Sequence, residues 1–200
     1  IAIAQIFFHS FAWNWLGPIG TALALATVFT TSMIYTQLRT IPRWNMPLTP
    51  VLFLLYAIAG GALLSMQAKV AGVLILVLIA LQWAGWLMGD NRLTDTRSTK
   101  GTATGLDRIG TVTTFESAHT ARNYILDEMV HIVGRKHSEK LRMISTIFLG
   151  VVPVLMLLLL PANMFVAILA LVSHLIGVFG SRWLFFAEAE HVVSLYYQRG

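Results

Sequence analysis

Residues 70–88, VAGVLILVLIALQWAGWLM, form an apolar stretch without a single charged side chain. A helix needs about 20 such residues to cross the hydrocarbon core of a bilayer. We therefore expect an all-α fold, a polytopic transmembrane helix bundle. Five stretches of this kind predict five spans, at residues 15–37, 50–67, 70–88, 143–160 and 162–186.

The overall composition supports a membrane protein. Hydrophobic residues make up 56% of the chain and charged residues 12%, and the mean hydropathy is +0.72. Soluble domains contain about twice that charged fraction. Tryptophans, which favour the headgroup level of a bilayer, lie near the predicted span ends at positions 13, 15, 83, 86 and 183.

The opening residues 1–8, IAIAQIFF, are similar to the tail of a further span, and the chain starts at Ile1 without a charged leader. We expect a partial N-terminal span and a fragment of a longer chain. We divide the chain into three parts. Residues 1–89 contain the first spans, residues 90–142 form an extramembrane loop with an amphipathic helix, and residues 143–200 contain the last two spans and a short tail.

Charges are distributed unevenly between the connectors. If the connectors alternate sides, the segments around 38–49, 90–142 and the C-terminal tail share one face and carry nearly all Lys and Arg residues. The opposite face has only Lys69. The positive-inside rule predicts that the charged face is cytoplasmic.

The segment 90–142 reads as two halves. The first is rich in Thr and Gly, which is typical of an irregular loop with one hairpin. In the second, Ile125, Met129, Ile132 and Val133 fall at helical spacing and form one apolar stripe. This stripe predicts an amphipathic helix that lies on the bilayer interface or docks on a partner subunit.

Small residues at every fourth position predict close helix packing. They occur twice, as Ala57, Gly61 and Ser65 in the second span and as Ser173, Gly177 and Ser181 in the fifth. Pro153 lies inside the fourth span, where neighbouring helices must satisfy the carbonyl that it frees.

Polar residues in the fifth span are the main functional signal. His174, Ser181 and Glu188 are seven residues apart and share one helix face, with Arg182 beside them. Ionisable groups at membrane depth are costly and are functional candidates. The alternative is a packing histidine and a helix end that emerges into water.

Several stretches resemble one family. The connector SMIYTQLRTIPRWNMPLTP (32–50), followed by AIAGGALL (57–64), is similar to a connector in the membrane anchor subunits of dimethyl sulfoxide reductase-type molybdoenzymes. The segments ARNYILDEM (121–129), RKHSEKLR (135–142) and SRWLFFAEAEHVVSLYY (181–197) resemble the same subunits in the same order.

This resemblance implies a bacterial inner-membrane subunit that binds no cofactor itself. It would hold an iron-sulfur subunit and a molybdopterin catalytic subunit at the membrane and oxidise quinol. The chain has no cysteine, so cysteine-ligated clusters would lie in a partner. Residues that suit quinol binding and proton transfer are His174, Glu188, Arg39 and Arg182.

The connector itself suggests partner docking. Pro42 restricts the backbone, Trp44 suits an interface, and Arg43 can pair with headgroups or with a partner's carboxylates. A tight turn between helices is the simpler alternative.

Two other functions remain open from the sequence. A small-molecule permease also has apolar helices and buried polar groups, although related halves are not evident here. A haem-binding quinol subunit would need two facing histidines at membrane depth, and only His174 is clearly placed there.

Overall fold

The computed structural model describes residues 16–113, 115–116, 132–161 and 163–192, and all regular structure in this part of the chain is helical. The predicted spans correspond to five helical segments. The first three are α1 (Leu16–Thr36), α2 (Leu48–Leu64) and α3 (Ala68–Asp90). The predicted all-α bundle is confirmed.

Among the described residues between α3 and the fourth span are three short helices, α4 (Arg92–Asp95), α5 (Lys100–Thr104) and α6 (Ile132–Lys136). The fourth span is irregular and consists of α7 (Ser138–Thr146), a π-helical turn (Ile147–Val151) and α8 (Val152–Leu159). The fifth span is α9 (Met164–Ala187).

Four of these segments are long and apolar enough to cross a membrane: Gly17–Thr36, Ala68–Asp90, Ser138–Leu159 and Met164–Ala187. The apolar helix α2 has 17 residues. At 1.5 Å per residue it extends about 26 Å, slightly less than the hydrocarbon core. The prediction of five spans is therefore met by four full-length helices and one shorter apolar helix.

The predicted hairpin is wrong for the described residues 90–113, which contain two short helices and turns. Thr99 and Thr102 form a reciprocal capping box that starts α5. Gly105 ends this helix with a φ of +70°, which glycine adopts without a steric penalty. Thr99, Thr102 and Gly105 thus serve as helix caps.

Most of the predicted amphipathic helix, with Ile125 and Met129, lies outside the described residues, as does the partial N-terminal span.

The apolar core lies between α2, α3, the fourth span and α9. Its most buried large side chains include Ile75 and Leu78 of α3 and Leu149 of the π-helical turn. The helix α1 contributes little, since only 6% of its apolar window is buried in the described structure. The bundle therefore packs around α3 and α9, with α1 at its edge.

The two small-residue seams have different outcomes. Ser173, Gly177 and Ser181 of α9 are buried, and a Cβ on Gly177 would lie 2.0 Å from the Leu149 backbone nitrogen. The seam on α9 is confirmed. The seam predicted on α2 is wrong within the described residues, because Ala57, Gly61 and Ser65 are exposed. The buried residues of α2, which include Leu52 and Leu63, lie on its other face and contact the core.

We expect Gly177→Ala to destabilise the bundle by about 1–3 kcal/mol, because the added methyl group meets the backbone of the fourth span. Gly61→Ala is the matched control, since no neighbouring atom lies within 4 Å of a Cβ placed on Gly61. Thermal unfolding of both variants in mild detergent measures the effect. Equal stability of the two variants would contradict the close approach.

Candidate functional site

Four charged side chains meet at one end of the bundle. Arg43 comes from the connector between α1 and α2, Asp90 ends α3, Arg142 lies in α7, and Glu188 follows α9. We call these four residues the ion-pair cluster. They join segments that are far apart in sequence, and they show that the described ends of the three charged segments lie at the same end of the bundle.

Each arginine of the cluster contacts both carboxylates. Arg142 Nη1 and Nη2 bind the two oxygens of Asp90 at 2.9 and 2.6 Å, and its Nε binds Glu188 Oε1 at 2.8 Å. Arg43 Nη1 donates to Glu188 Oε2 at 3.0 Å, while its Nη2 also contacts Asp90. Both Glu188 oxygens are thus engaged, each by a different arginine.

The solvent exposure of the ion-pair cluster decreases from its outer carboxylate to its inner one. The side chain of Asp90 is 38% exposed and that of Glu188 only 5%. Trp86 lies beneath Arg142, with 5.6 Å between the ring centroid and the guanidinium carbon. The Arg43 side chain packs directly against Gly89. A Cβ at position 89 would lie only 3.1 Å from Arg43 Nη1, so a larger residue would crowd it. Charges held this far from water require complete pairing.

Arg135 of α6 closes the end of α9. Its Nε and Nη2 donate to the carbonyls of Ala187 and Ala189 at 2.9 and 2.8 Å. Basic side chains commonly satisfy the last carbonyls of a helix in this way. Arg135 also contacts Glu190 at 3.4 Å. The short helix α6 is therefore fixed against the same face as the ion-pair cluster.

A cavity of about 170 Å³ opens between these groups at the charged end. We call it the outer cavity. Cationic and anionic side chains balance each other around it, which favours water or a polar partner group over an apolar ligand. It is lined by Pro42, Arg43, Gly89, Asp90, Leu93, Arg135, Ser138, Arg142, Glu188 and Glu190.

The residues predicted for partner docking, Pro42, Arg43 and Trp44, face their own chain. Pro42 is buried, and Arg43 belongs to the ion-pair cluster. Trp44 stacks on Phe185 with ring centroids 5.1 Å apart, and its Nε1 donates to the Phe185 carbonyl at 2.9 Å. These contacts fold the connector onto α9. A docking role for the three residues stays a prediction.

A second polar group lies deeper in the bundle. The Tyr56 hydroxyl of α2 lies 2.9 Å from Gln82 Oε1 of α3 and 2.7 Å from Ser181 Oγ of α9. The Arg182 guanidinium carbon lies over the Tyr56 ring, 4.3 Å from its centroid. This group links three helices by hydrogen bonds and a cation–π contact.

His174 satisfies the backbone of the fourth span. Its Nδ1 lies 2.7 Å from the Leu149 carbonyl, and Ser173 Oγ donates to the Phe148 carbonyl at 3.0 Å. Because a carbonyl only accepts, Nδ1 carries the proton. An N–H at position 153 would bond to residue 149 in an α-helix and to residue 148 in a π-helix. Pro153 has no N–H, so α9 satisfies the carbonyls that it frees.

Of the four residues predicted for quinol binding, Arg182 and Glu188 line one cavity, whereas His174 and Arg39 do not line it. His174 and Glu188 are 14 residues apart on one helical segment, which is about 21 Å. Glu188 is engaged by two arginines, Arg182 lies among aromatic rings, and Arg39 is exposed on the connector. Their quinol role stays a prediction, and one quinol cannot contact all four in this conformation.

Sequence reasoning missed Asp90, Arg142, Tyr56 and Gln82. Asp90 and Arg142 lie at the boundaries assigned to the extramembrane segment, where charges are normally solvated. Opposite charges at the ends of antiparallel spans were the available signal for their pairing. Among the described residues, no group of three or more His, Asp or Glu side chains forms a metal site.

The fold and the site define a polytopic helix bundle of membrane type whose charged end is closed by an ion-pair cluster. In sequence, the chain is 32% identical over 198 residues to a sulfite dehydrogenase subunit of Allochromatium vinosum. The alignment covers 92% of this chain and 60% of that relative, so the chain spans less than two thirds of the relative's length. No protein-family model matches the chain, and no solved structure gives a significant match.

The predicted likeness to an oxidoreductase membrane subunit is thus supported at the level of a multi-subunit oxidoreductase. The relative is a subunit of a sulfite dehydrogenase. The finer prediction of a dimethyl sulfoxide reductase anchor stays a prediction.

We expect Glu188→Gln to destabilise the protein by about 3 kcal/mol, because it removes the more buried of the two carboxylates that Arg43 and Arg142 share and leaves only Asp90 to pair with both. Glu190→Gln is the matched control. The Glu190 side chain is 45% exposed and has one longer contact, so its loss should cost under about 1 kcal/mol. Thermal unfolding in detergent compares them, and similar losses for both variants would refute the special role of the cluster.

The link between His174 and Pro153 predicts energetic coupling. His174→Leu leaves the Leu149 carbonyl unsatisfied, whereas Pro153→Ala restores a backbone N–H to the fourth span. In a double-mutant cycle, we expect His174→Leu to cost about 1 kcal/mol less in the Pro153→Ala background. Pro161→Ala, which lies between α8 and α9, serves as the control partner. Additive effects for both pairs would exclude the link.

Proposed function

We propose that this chain is the membrane subunit of a multi-subunit oxidoreductase and that it exchanges electrons between a partner subunit and membrane quinone. The observation that carries this proposal is the similarity to a sulfite dehydrogenase subunit along 92% of the chain. That alignment takes in nearly all of the apolar helices, so the similarity concerns the bundle as a whole.

Partner subunits supply the redox centres in this proposal. Oxidation of sulfite to sulfate takes an oxygen atom from water and releases two electrons and the water protons. The chain has no cysteine to hold an iron-sulfur cluster. We therefore assign the iron-sulfur clusters and the molybdopterin to partners, as the resemblance to dimethyl sulfoxide reductase-type anchors implies. The chain would bind quinone in the bacterial inner membrane.

The direction of electron flow that we propose is based on the reaction of the relative, the oxidation of sulfite. A sulfite dehydrogenase releases electrons, so quinone would take up two electrons and two protons and leave as quinol. A reductase of the dimethyl sulfoxide type runs the membrane step in reverse and oxidises quinol. The connector and tail motifs resemble anchors of that second type, which keeps it as the alternative. Both directions need the same anchoring subunit.

The charged end suits the attachment of a water-soluble partner. The ion-pair cluster and the Trp44–Phe185 stack fix the connector, and Arg135 fixes α6 against the same face. Arg39 is exposed on this connector, where it can meet a partner's carboxylate. A rigid surface loses little entropy on binding. His174, Glu188, Arg39 and Arg182 remain the proposed quinone contacts, at more than one position along the bundle.

Co-purification from the native membrane tests the proposal. We expect the full-length protein, extracted in mild detergent, to carry a molybdenum subunit and an iron-sulfur subunit. The complex should reduce a quinone analogue when sulfite is added. Quinol-dependent reduction of dimethyl sulfoxide without sulfite oxidation would establish the alternative direction. A protein that purifies without partner, molybdenum or iron would refute the proposal and favour the permease.

Attachment can be tested with a matched pair of variants. Arg39→Glu reverses an exposed charge on the connector, while Lys69→Glu reverses the lone basic residue at the opposite end. At low salt, we expect only Arg39→Glu to release the partner subunits at least tenfold more readily than the wild type. This difference should shrink as salt is raised, because salt screens both the attraction in the wild type and the repulsion in the variant. Equal retention in both variants would remove Arg39 from the docking surface.

A further inference from the structure

Arg182 is held in an aromatic cage. Its guanidinium carbon lies 4.3, 5.0 and 5.1 Å from the ring centroids of Tyr56, Phe53 and Phe185. Aromatic faces attract a cation but carry no net negative charge. The cage therefore positions the guanidinium group without neutralising it.

No carboxylate among the described residues forms a salt bridge with Arg182. Glu188 is the acidic residue that follows it on the same segment, but both Glu188 oxygens are bound by Arg43 and Arg142. Within the described residues, Arg182 Nε is buried and has no hydrogen-bond partner. A donor of this kind requires an acceptor.

The charges in this region do not balance. The cations are Arg43, Arg142 and Arg182, and the anions are Asp90 and Glu188, which leaves one positive charge. Arginine keeps its proton in proteins. Arg182 is half-buried and its Nε is inaccessible to solvent, so a charge without a counter-charge is costly there. The region is therefore one monovalent anion short of neutrality.

A cavity beside Arg182 can hold that anion. Its volume is about 40 Å³, and we call it the inner cavity. This is room for roughly three or four water molecules at about 10–15 Å³ each, and it is also enough for one chloride ion. Gln82 also lines it, and because its Oε1 bonds to Tyr56, its amide nitrogen is left as a donor. Arg43, Thr49 and Glu188 line it as well, and both oxygens of the Glu188 carboxylate are bound by arginines. The rest of the wall is apolar and aromatic.

We propose that the inner cavity is a binding site for a small monovalent inorganic anion such as chloride, held by the guanidinium of Arg182 and the amide of Gln82. The anion completes the charge balance next to the ion-pair cluster. This site does not rest on the proposed function, and an anion bound there would occupy Arg182 in place of quinone. The phosphate of an anionic lipid presents the same chemistry and is the other source of the charge.

Thermal unfolding of the full chain in a neutral detergent, free of phospholipid, tests the site with chloride as the probe. At constant ionic strength, replacing gluconate by chloride should raise Tm by about 3–6 °C at a tenfold excess over Kd. Arg182→Met should abolish this rise, and Arg182→Lys should keep it. Arg92→Met is the matched control, because Arg92 Nε also lacks a partner but does not line the cavity.

Retention of radioactive chloride by the wild type on a desalting column gives a second measurement that needs no variant. A single saturable site per chain, together with the chloride-dependent Tm, supports the inorganic anion. A Tm that responds to added anionic phospholipid, and not to chloride, would assign the site to a lipid phosphate and overturn the inorganic one. A protein that responds to neither probe, or an Arg182→Met variant that responds like the wild type, would reject the anion site.

Discussion

The pairing of charges at one end of the bundle is the constraint on which the rest of the structure depends. Glu188 is nearly inaccessible to solvent, and a charge in that position is tolerated only if arginines reach both of its oxygens. Arg43 can reach it only if the first connector folds inward, and Arg142 only if the fourth span begins beside α9. The stacking of Trp44 on Phe185 and the cap by Arg135 follow from the same approach of chain segments. Electrostatics thus fixes the relative positions of helix ends that apolar packing alone would leave free to slide.

Farther from the charged end, the residues of α9 make different contacts at different heights in the bundle. Ser181 joins Tyr56 in a hydrogen-bonded group, whereas Ser173 and His174 supply donors to a fourth span that Pro153 and a π-helical turn make irregular. Gly177 lies between these levels and allows the backbones to touch. The polar stripe therefore performs two local tasks, and each of them satisfies polar groups that lipid cannot solvate. This separation explains why residues on the same helix face do not form one binding site.

Function and geometry meet at the charged end. The proposed electron exchange with partners rests on the similarity to a sulfite dehydrogenase subunit, and a rigid, polar surface would suit such partners better than a mobile loop. The exposed small residues of α2 and the lightly buried α1 show that the described helices do not cover each other completely. In a membrane subunit, lipid or other helices complete such faces. The redox centres belong to partners in this proposal, so the contribution of the chain is position, charge and a route to quinone.

The sequence by itself determined the helical class, the approximate limits of the five helical segments and the shared helix face of His174, Ser181 and Glu188. It could do so because hydrophobicity and helical periodicity are local properties of the chain. Only the tertiary structure decided that Arg43 binds Asp90 and Glu188, that His174 serves the carbonyl freed near Pro153, and that the small residues of α2 face outward. These outcomes depend on which helices become neighbours. Partner choice between distant charges is a property of the assembled bundle, since several pairings satisfy the same composition and burial selects one of them.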